Sequence, residues 1–202
     1  MFIRNLESRT QGNSISYYNS QMGLYADNQN FILNFFPQSL HKGILSFSTY
    51  LTQGYYAVSM GLGLKFEPTF GFGHNMFFIS NLSQYLDVDL WSKTYMVRVS
   101  ENYNWDSLVN WHSLYSWIAN DVSFIGVPIV LFVIGIFFSY WWKDAIIYKN
   151  PFASILFIYL FIEIFYIPAN NQIGAYPYMT VAFYITIIVW ALTRKKYTQN
   201  TK

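Results

Sequence analysis

An all-α integral membrane protein is the fold class this sequence predicts, and three observations predict it. Its 202 residues are 53% hydrophobic and 22% aromatic but only 11% charged, against roughly 25% charged in an average soluble domain. Between Asp121 and Lys143 no charge occurs for 21 residues, enough at about 1.5 Å per residue to cross a hydrocarbon core of about 30 Å. From Asn150 to Thr193 the only charge is Glu163, and Pro151, Pro168 and Pro177 divide that run into two apolar helices, about 151–167 and 177–193.

Taken in order, residues 1–42 read as a loop or interfacial segment. Met1–Thr10 carries Arg4, Glu7 and Arg9 and leads into polar sequence, so no cleavable signal peptide is expected. Residues 43–65 form a membrane helix interrupted by Ser46, Ser48, Thr49, Thr52, Gln53 and Ser59, which packs inside a bundle or dips into the membrane because polar groups face lipid at a cost. Residues 66–121 form a partly helical loop region, 122–193 three transmembrane helices, and 194–202 a basic tail. The absence of cysteine removes disulfides and thiolate chemistry. A net charge of +2, with no basic block beside an aromatic platform, points away from nucleic acid.

Lys and Arg concentrate in cytoplasmic loops, and Arg194, Lys195, Lys196 and Lys202 place the C-terminus inside. Counting back puts 143–149 inside, 169–176 outside and 66–121 outside. In this last segment Glu67, Asp87, Asp89, Glu101, Asp106 and Asp121 outnumber Lys93 and Arg98. Tyr140, Trp141 and Trp142 at the inner level, with Tyr166, Tyr176 and Tyr178 at the outer, are expected to form aromatic belts.

The outer segment carries the dense polar chemistry: GFGHN at 71–75, TYMVRVSENYNWD at 94–106 and NWHSLYSWIAND at 110–121. Arg98 presents a fork that fits phosphate oxygens, and equally could pair with Glu101 one helical turn away. His112 titrates near neutral pH and so is a candidate general base, although a histidine among aromatics is also a common hydrogen-bonded interface residue. Asp121 follows nine residues later, about 900° round a continuous helix, so the two side chains do not meet on that helix; Asp121 reads rather as a cap for the following span. Trp105, Trp111, Trp117, Tyr103 and Tyr115 suit either sugar stacking or a membrane interface. His74 and His112 lack the close spacing of metal ligands, and GFG has no following lysine or preceding strand, so neither a metal nor a nucleotide site is expected. Glu163, alone in a span, is functional if it faces a cavity.

Four stretches, YLTQGYYAVSMGL at 50–62, FGFGHNMFF at 70–78, YMVRVSENYNWD at 95–106 and WHSLYSWIANDVSFIG at 111–126, give the chain its likeness to a family. Over about 28–192 it resembles the C-terminal half of the bacterial O-antigen and capsular polysaccharide (oligosaccharide repeat-unit) polymerases. The resemblance implies an inner-membrane glycosyltransferase, C-terminus cytoplasmic, that joins undecaprenyl-pyrophosphate-linked oligosaccharide repeats at the periplasmic face for lipopolysaccharide or capsule. It implies no cofactor, and as partners the lipid bilayer and the flippase and chain-length regulator of the same pathway. Arg98 would hold the pyrophosphate and His112 take the acceptor proton, with Gln53, Tyr55, Tyr56, His74, Asn75, Trp111, Tyr115 and Asp121 at the substrate. Such polymerases usually have about twice this chain, so a truncated form is expected; the alternative is a non-catalytic subunit or inactive remnant of a polysaccharide assembly system.

Overall fold

The computed structural model describes residues 18–19, 24–25, 27 and 30–199, so most of the segment read as 1–42 lies outside the described residues. Within it, Tyr18–Asn19 pairs antiparallel with Leu24–Tyr25. The remainder is helical: α1 Gln38–Gly61, α2 Met76–Leu86, α3 Tyr95–Tyr103, α4 Leu114–Ile146, α5 Pro151–Tyr166 and α6 Pro177–Gln199.

Helix α1 covers the polar-interrupted segment but starts and ends about four residues earlier than the expected 43–65. Its buried face is built from small residues, Gly43, Ser46, Gly54, Ala57 and Gly61 among them. A Cβ at Gly54 would stand 2.2 Å from the Pro168 carbonyl oxygen and 2.8 Å from the Ser113 nitrogen, so only glycine permits this approach. Two polar interruptions satisfy themselves locally: Thr52 Oγ1 donates to the Ser48 carbonyl at 2.9 Å and Ser59 Oγ to that of Tyr56 at 2.7 Å. Three ring pairs fasten α1 to the segment before α4 and to the first turn of α4: Tyr50 with Trp111, Tyr56 with Trp105, and Tyr55 stacked on Tyr115.

Helix α4 is two helices joined at Ser123, whose φ of 59° and ψ of 168° break the helical path. Pro128 lies five residues on, where its missing N–H and its ring unsettle the preceding turn. The polar head, 114–122, is thereby separated from the apolar stretch 124–146. Asn150 caps α5 by accepting from the Phe152 and Ala153 N–H groups, and Pro151 stands in the first turn, where it needs no partner. Ala153, Leu156 and Leu160 on one face of α5 meet Trp141 and Trp190 in the core of the α4–α6 bundle.

Among the described residues two helices, α4 and α6, are long and apolar enough to cross a membrane. Two of the three expected spans thus have the length, while the third, α5, is apolar but its 16 residues rise only about 24 Å. These are not the core helices of a globular domain: only 6% of the most apolar window of α4 and 11% of that of α6 is buried, and Ile125, Phe132, Phe161, Ile188 and Leu192 all point outward. So much contiguous exposed apolar surface marks a lipid or protein partner. Trp141 departs from its expected place in an aromatic belt, since it is buried edge-on to Trp190 and Phe183. The basic tail is no separate element: Arg194, Lys195 and Lys196 continue α6, and Arg194 Nε pairs at 2.8 Å with Asp144, a fully buried carboxylate that Trp190 Nε1 also reaches at 2.9 Å. Residues 200–202 lie outside the described residues.

Candidate functional site

The break at Ser123 leaves the Asn120 carbonyl without its helical partner, and Thr69 takes it with both its N–H, at 3.2 Å, and its hydroxyl, at 2.8 Å. The neighbouring carboxylate of Asp121 gathers the rest of that loop. Asp121 Oδ1 accepts from the Thr69 hydroxyl and from the Gly71 and Gly73 N–H groups, each of the latter at 2.9 Å; Oδ2 accepts from the His74 N–H at 3.1 Å and from His74 Nδ1 at 2.8 Å. Successive N–H groups curled around one anion form a nest. The sequence permits it because Gly71 adopts φ +87° and because a side chain at Gly73 would collide with Thr69 Oγ1 at 2.0 Å and Asn120 Cβ at 2.6 Å. Asp121 is therefore the knot of the 69–74 loop, and the expected role as a helix cap gives way to it.

Asn120, fully buried, ties in a third element. Its Oδ1 accepts from the Tyr95 N–H at 2.8 Å, and its Nδ2 donates to the Gly73 carbonyl at 2.9 Å. The loop between α5 and α6 joins from the other side: Asn171 Nδ2 donates to the His74 carbonyl at 2.8 Å, the Met76 N–H to that of Gly174 at 2.8 Å, and Asn75 Nδ2 to Thr180 Oγ1 at 3.0 Å. Glu163 Oε2 holds the same loop through the Ile173 N–H at 2.9 Å.

These elements enclose a cavity of about 360 Å³, with Gly71, His74, Asn75 and Asp121 at its polar end. Its walls are apolar side chains of α4, α5 and α6, such as Val130, Ile134, Leu160 and Phe183. Glu163 lines it too; the residue is 4% exposed, and its Oε1 has no hydrogen-bond partner among the described residues. Asp121 accepts from His74 Nδ1, which leaves Nε2 of the neutral ring as an acceptor.

The expected catalytic pair lies elsewhere. His112 is 3% exposed, neither ring nitrogen has a partner among the described residues, and burial pushes its pKa down to about 4. Such a ring stays neutral and is a weak base. Arg98 does not pair with Glu101; its Nε lies 3.3 Å from Glu67 Oε1, and its guanidinium sits over the Tyr95 ring. Of the residues expected at a substrate, His74, Asn75 and Asp121 meet at the cavity. Gln53 donates to the Tyr50 carbonyl, while Tyr55, Tyr56, Trp111 and Tyr115 are engaged in the ring pairs that hold α1. Thr69, Asn120 and Asn171 were not legible as site residues, though the adjacent Asn120 and Asp121 just ahead of a charge-free stretch were a visible signal. Among the described residues no group of three or more His, Cys, Asp or Glu is placed to hold a metal.

Comparison with known proteins brings no likeness: no family model, no curated protein and no solved structure matches the chain.

Proposed function

We propose that the protein is a membrane glycosyltransferase of the repeat-unit polymerase type, acting on saccharides carried by undecaprenyl pyrophosphate at the outer face of the inner membrane, with the C-terminus cytoplasmic. The observation that carries this is the His74–Asp121 pair at the mouth of an apolar cavity between apolar helices. Two of the stretches that bear the resemblance, 70–78 and 111–126, meet there. The base assigned to His112 moves to His74, because His74 is half-exposed at the cavity and has a carboxylate to stabilise its protonated form.

In the transfer, the acceptor sugar's hydroxyl oxygen bonds to the anomeric carbon of the donor and its proton passes to His74 Nε2. The bond from that carbon to the pyrophosphate breaks, and the pyrophosphate leaves with the electron pair. Asp121, fixed by four other donors, holds the ring through Nδ1 and offsets the positive charge. Arg98 reaches a pyrophosphate by exchanging Glu67, whose side chain is 47% exposed.

Complementation of a polymerase-deficient strain tests this, using the chain as it stands and the chain extended at its N-terminus, scored by the polysaccharide ladder. His74→Gln and Asp121→Asn should abolish the ladder at equal membrane abundance, and His112→Gln should retain it. A ladder that survives His74→Gln and vanishes with His112→Gln would return the base to His112. No ladder from either chain points instead to a non-catalytic membrane subunit of such a system. Reporters after Lys196 and at Asn104 should be active in the cytoplasm and outside respectively; a cytoplasmic signal at Asn104 would overturn the orientation.

A further inference from the structure

The cavity's uncommitted polar atoms have one character. The amides of Asn75 and Asn171 are engaged, with Thr180, His74 and the Gly174 N–H as partners, and both Asp121 oxygens are filled from the 69–74 loop. What remains is Glu163 Oε1, His74 Nε2 and the Tyr184 hydroxyl, each of which can hydrogen-bond a neutral hydroxyl, Glu163 in either protonation state. Among the described residues no arginine or lysine lines the cavity. An anionic head would face the Asp121 carboxylate with no lysine or arginine to offset it, so phosphate is the wrong chemistry for this space. An ammonium fits the charge but costs far more than a hydroxyl to bring into apolar surroundings.

We infer that the cavity binds a single-chain lipid with a neutral, hydroxyl-bearing head, the hydroxyls donating to Glu163 and His74 and the chain lying along Val130, Ile134, Leu160 and Phe183. The volume of about 360 Å³ falls within the range of about 300–1,000 Å³ usual for ligand pockets. This goes beyond the proposed glycosyl transfer: the ligand carries no pyrophosphate and is neither donor nor acceptor, and it occupies the cavity beside His74. Glu163 then selects the ligand by accepting from it, apart from any transfer of protons.

The test uses the full chain in phosphatidylcholine nanodiscs and a decyl glucoside bearing a diazirine in its chain. Saturable labelling of α4 or α6 at cavity positions is expected, competed by decyl glucoside and not by decyl phosphate. Glu163→Gln keeps an oxygen for the Ile173 N–H and turns an amide that can only donate toward the cavity, so labelling should fall about tenfold with the loss of the acceptor for the ligand's hydroxyl. Ile134→Phe, which fills the cavity without touching its polar end, should block labelling in a second way. Competition by decyl phosphate equal to that by decyl glucoside, stronger competition by decylammonium, or labelling indifferent to Glu163→Gln would each overturn the inference. A ladder in the complementation assay together with any of these results would leave the glycosyltransferase standing without this ligand. Specific glucoside labelling without a ladder would do the reverse.

Discussion

Replacing Asp121 by Asn tests whether the whole site hangs on one carboxylate. The amide keeps one oxygen, which can still serve Thr69, Gly71 and Gly73, but it turns an NH2 toward the His74 N–H and Nδ1, which in the native protein donate to Oδ2 at 3.1 and 2.8 Å. Two hydrogen bonds to a charged acceptor are lost, at about 1.5–3 kcal/mol each, and two donors are left facing a donor. A local cost of about 3 kcal/mol is a conservative sum. At a factor of ten per 1.4 kcal/mol, the amides of residues 71–74 should exchange with solvent about two orders of magnitude faster, opening with the loop and not with the bundle. Amides of α5 around Leu156, in the core against Trp141 and Trp190, should keep their rates. Hydrogen exchange by mass spectrometry in nanodiscs reads both segments in one experiment. Unchanged protection across 71–74 would refute the knot; equal loss in α5 would show that Asp121 supports the global fold and not a loop.

Gly54→Ala should lower membrane abundance and thermal stability by about 1–3 kcal/mol, because its Cβ would meet backbone atoms of Pro168 and Ser113, whereas Gly135→Ala, with nothing within 4 Å, should be silent; equal effects in a melting assay would refute the close approach. His112, held down at about 4 from 6.5, costs nothing above the unfolded value and destabilises as pH falls from about 6.5 toward 4, where the unfolded chain binds the extra proton. That amounts to about 2 kcal/mol at pH 5, and His112→Leu should flatten the difference in Tm between pH 8 and pH 5. Arg194→Ala leaves Asp144 buried with Trp190 alone and should destabilise by about 3 kcal/mol; adding Asp144→Asn should recover most of the loss, and no recovery would mean that Arg194 matters through its packing on Tyr140 and Trp190.

The helical class was legible because it follows from composition along the chain; the charges stop at Asp121, and the backbone breaks two residues later at Ser123. The polar interruptions in 43–65 pointed to a segment packed inside a bundle or dipping into the membrane, and two of them, Ser46 and Gln53, lie on the buried face of α1. Partner choice was not legible. Arg98 has Glu101 one turn away in sequence yet pairs with Glu67, because the loop that carries Glu67 is brought to α3 by Thr69 and Asn120, a contact 51 residues apart along the chain. On paper His112 was the candidate base and His74 a substrate contact. Burial separates them, enclosing His112 and leaving His74 partly exposed at the cavity, and burial is set by how α1 closes over the segment before α4. Glu163 was visible as a lone charge, but only the fold shows that it faces a cavity.

Two carboxylates of α4, Asp121 partly buried and Asp144 fully buried, explain why one helix can organise both ends of the molecule. Asp121 and Asp144 bracket a stretch that holds no charge but Lys143, and their separation of 23 residues is about 34 Å of helix, close to a hydrocarbon core. Neither faces outward unpaired: Asp121 is wrapped by the N–H groups of the 69–74 loop, and Asp144 is met by Arg194 and Trp190 of α6. Each therefore converts the cost of burying a charge into a specific join between α4 and another element, since removing either partner leaves that charge uncompensated. The kink at Ser123 keeps the two joins mechanically distinct. Its left-handed φ ends the hydrogen-bond ladder before the apolar stretch begins, so the carbonyl of Asn120 is spent on Thr69 and not on the helix. The polar head of α4 is thus fixed by loops, not by the register of the apolar helix that follows.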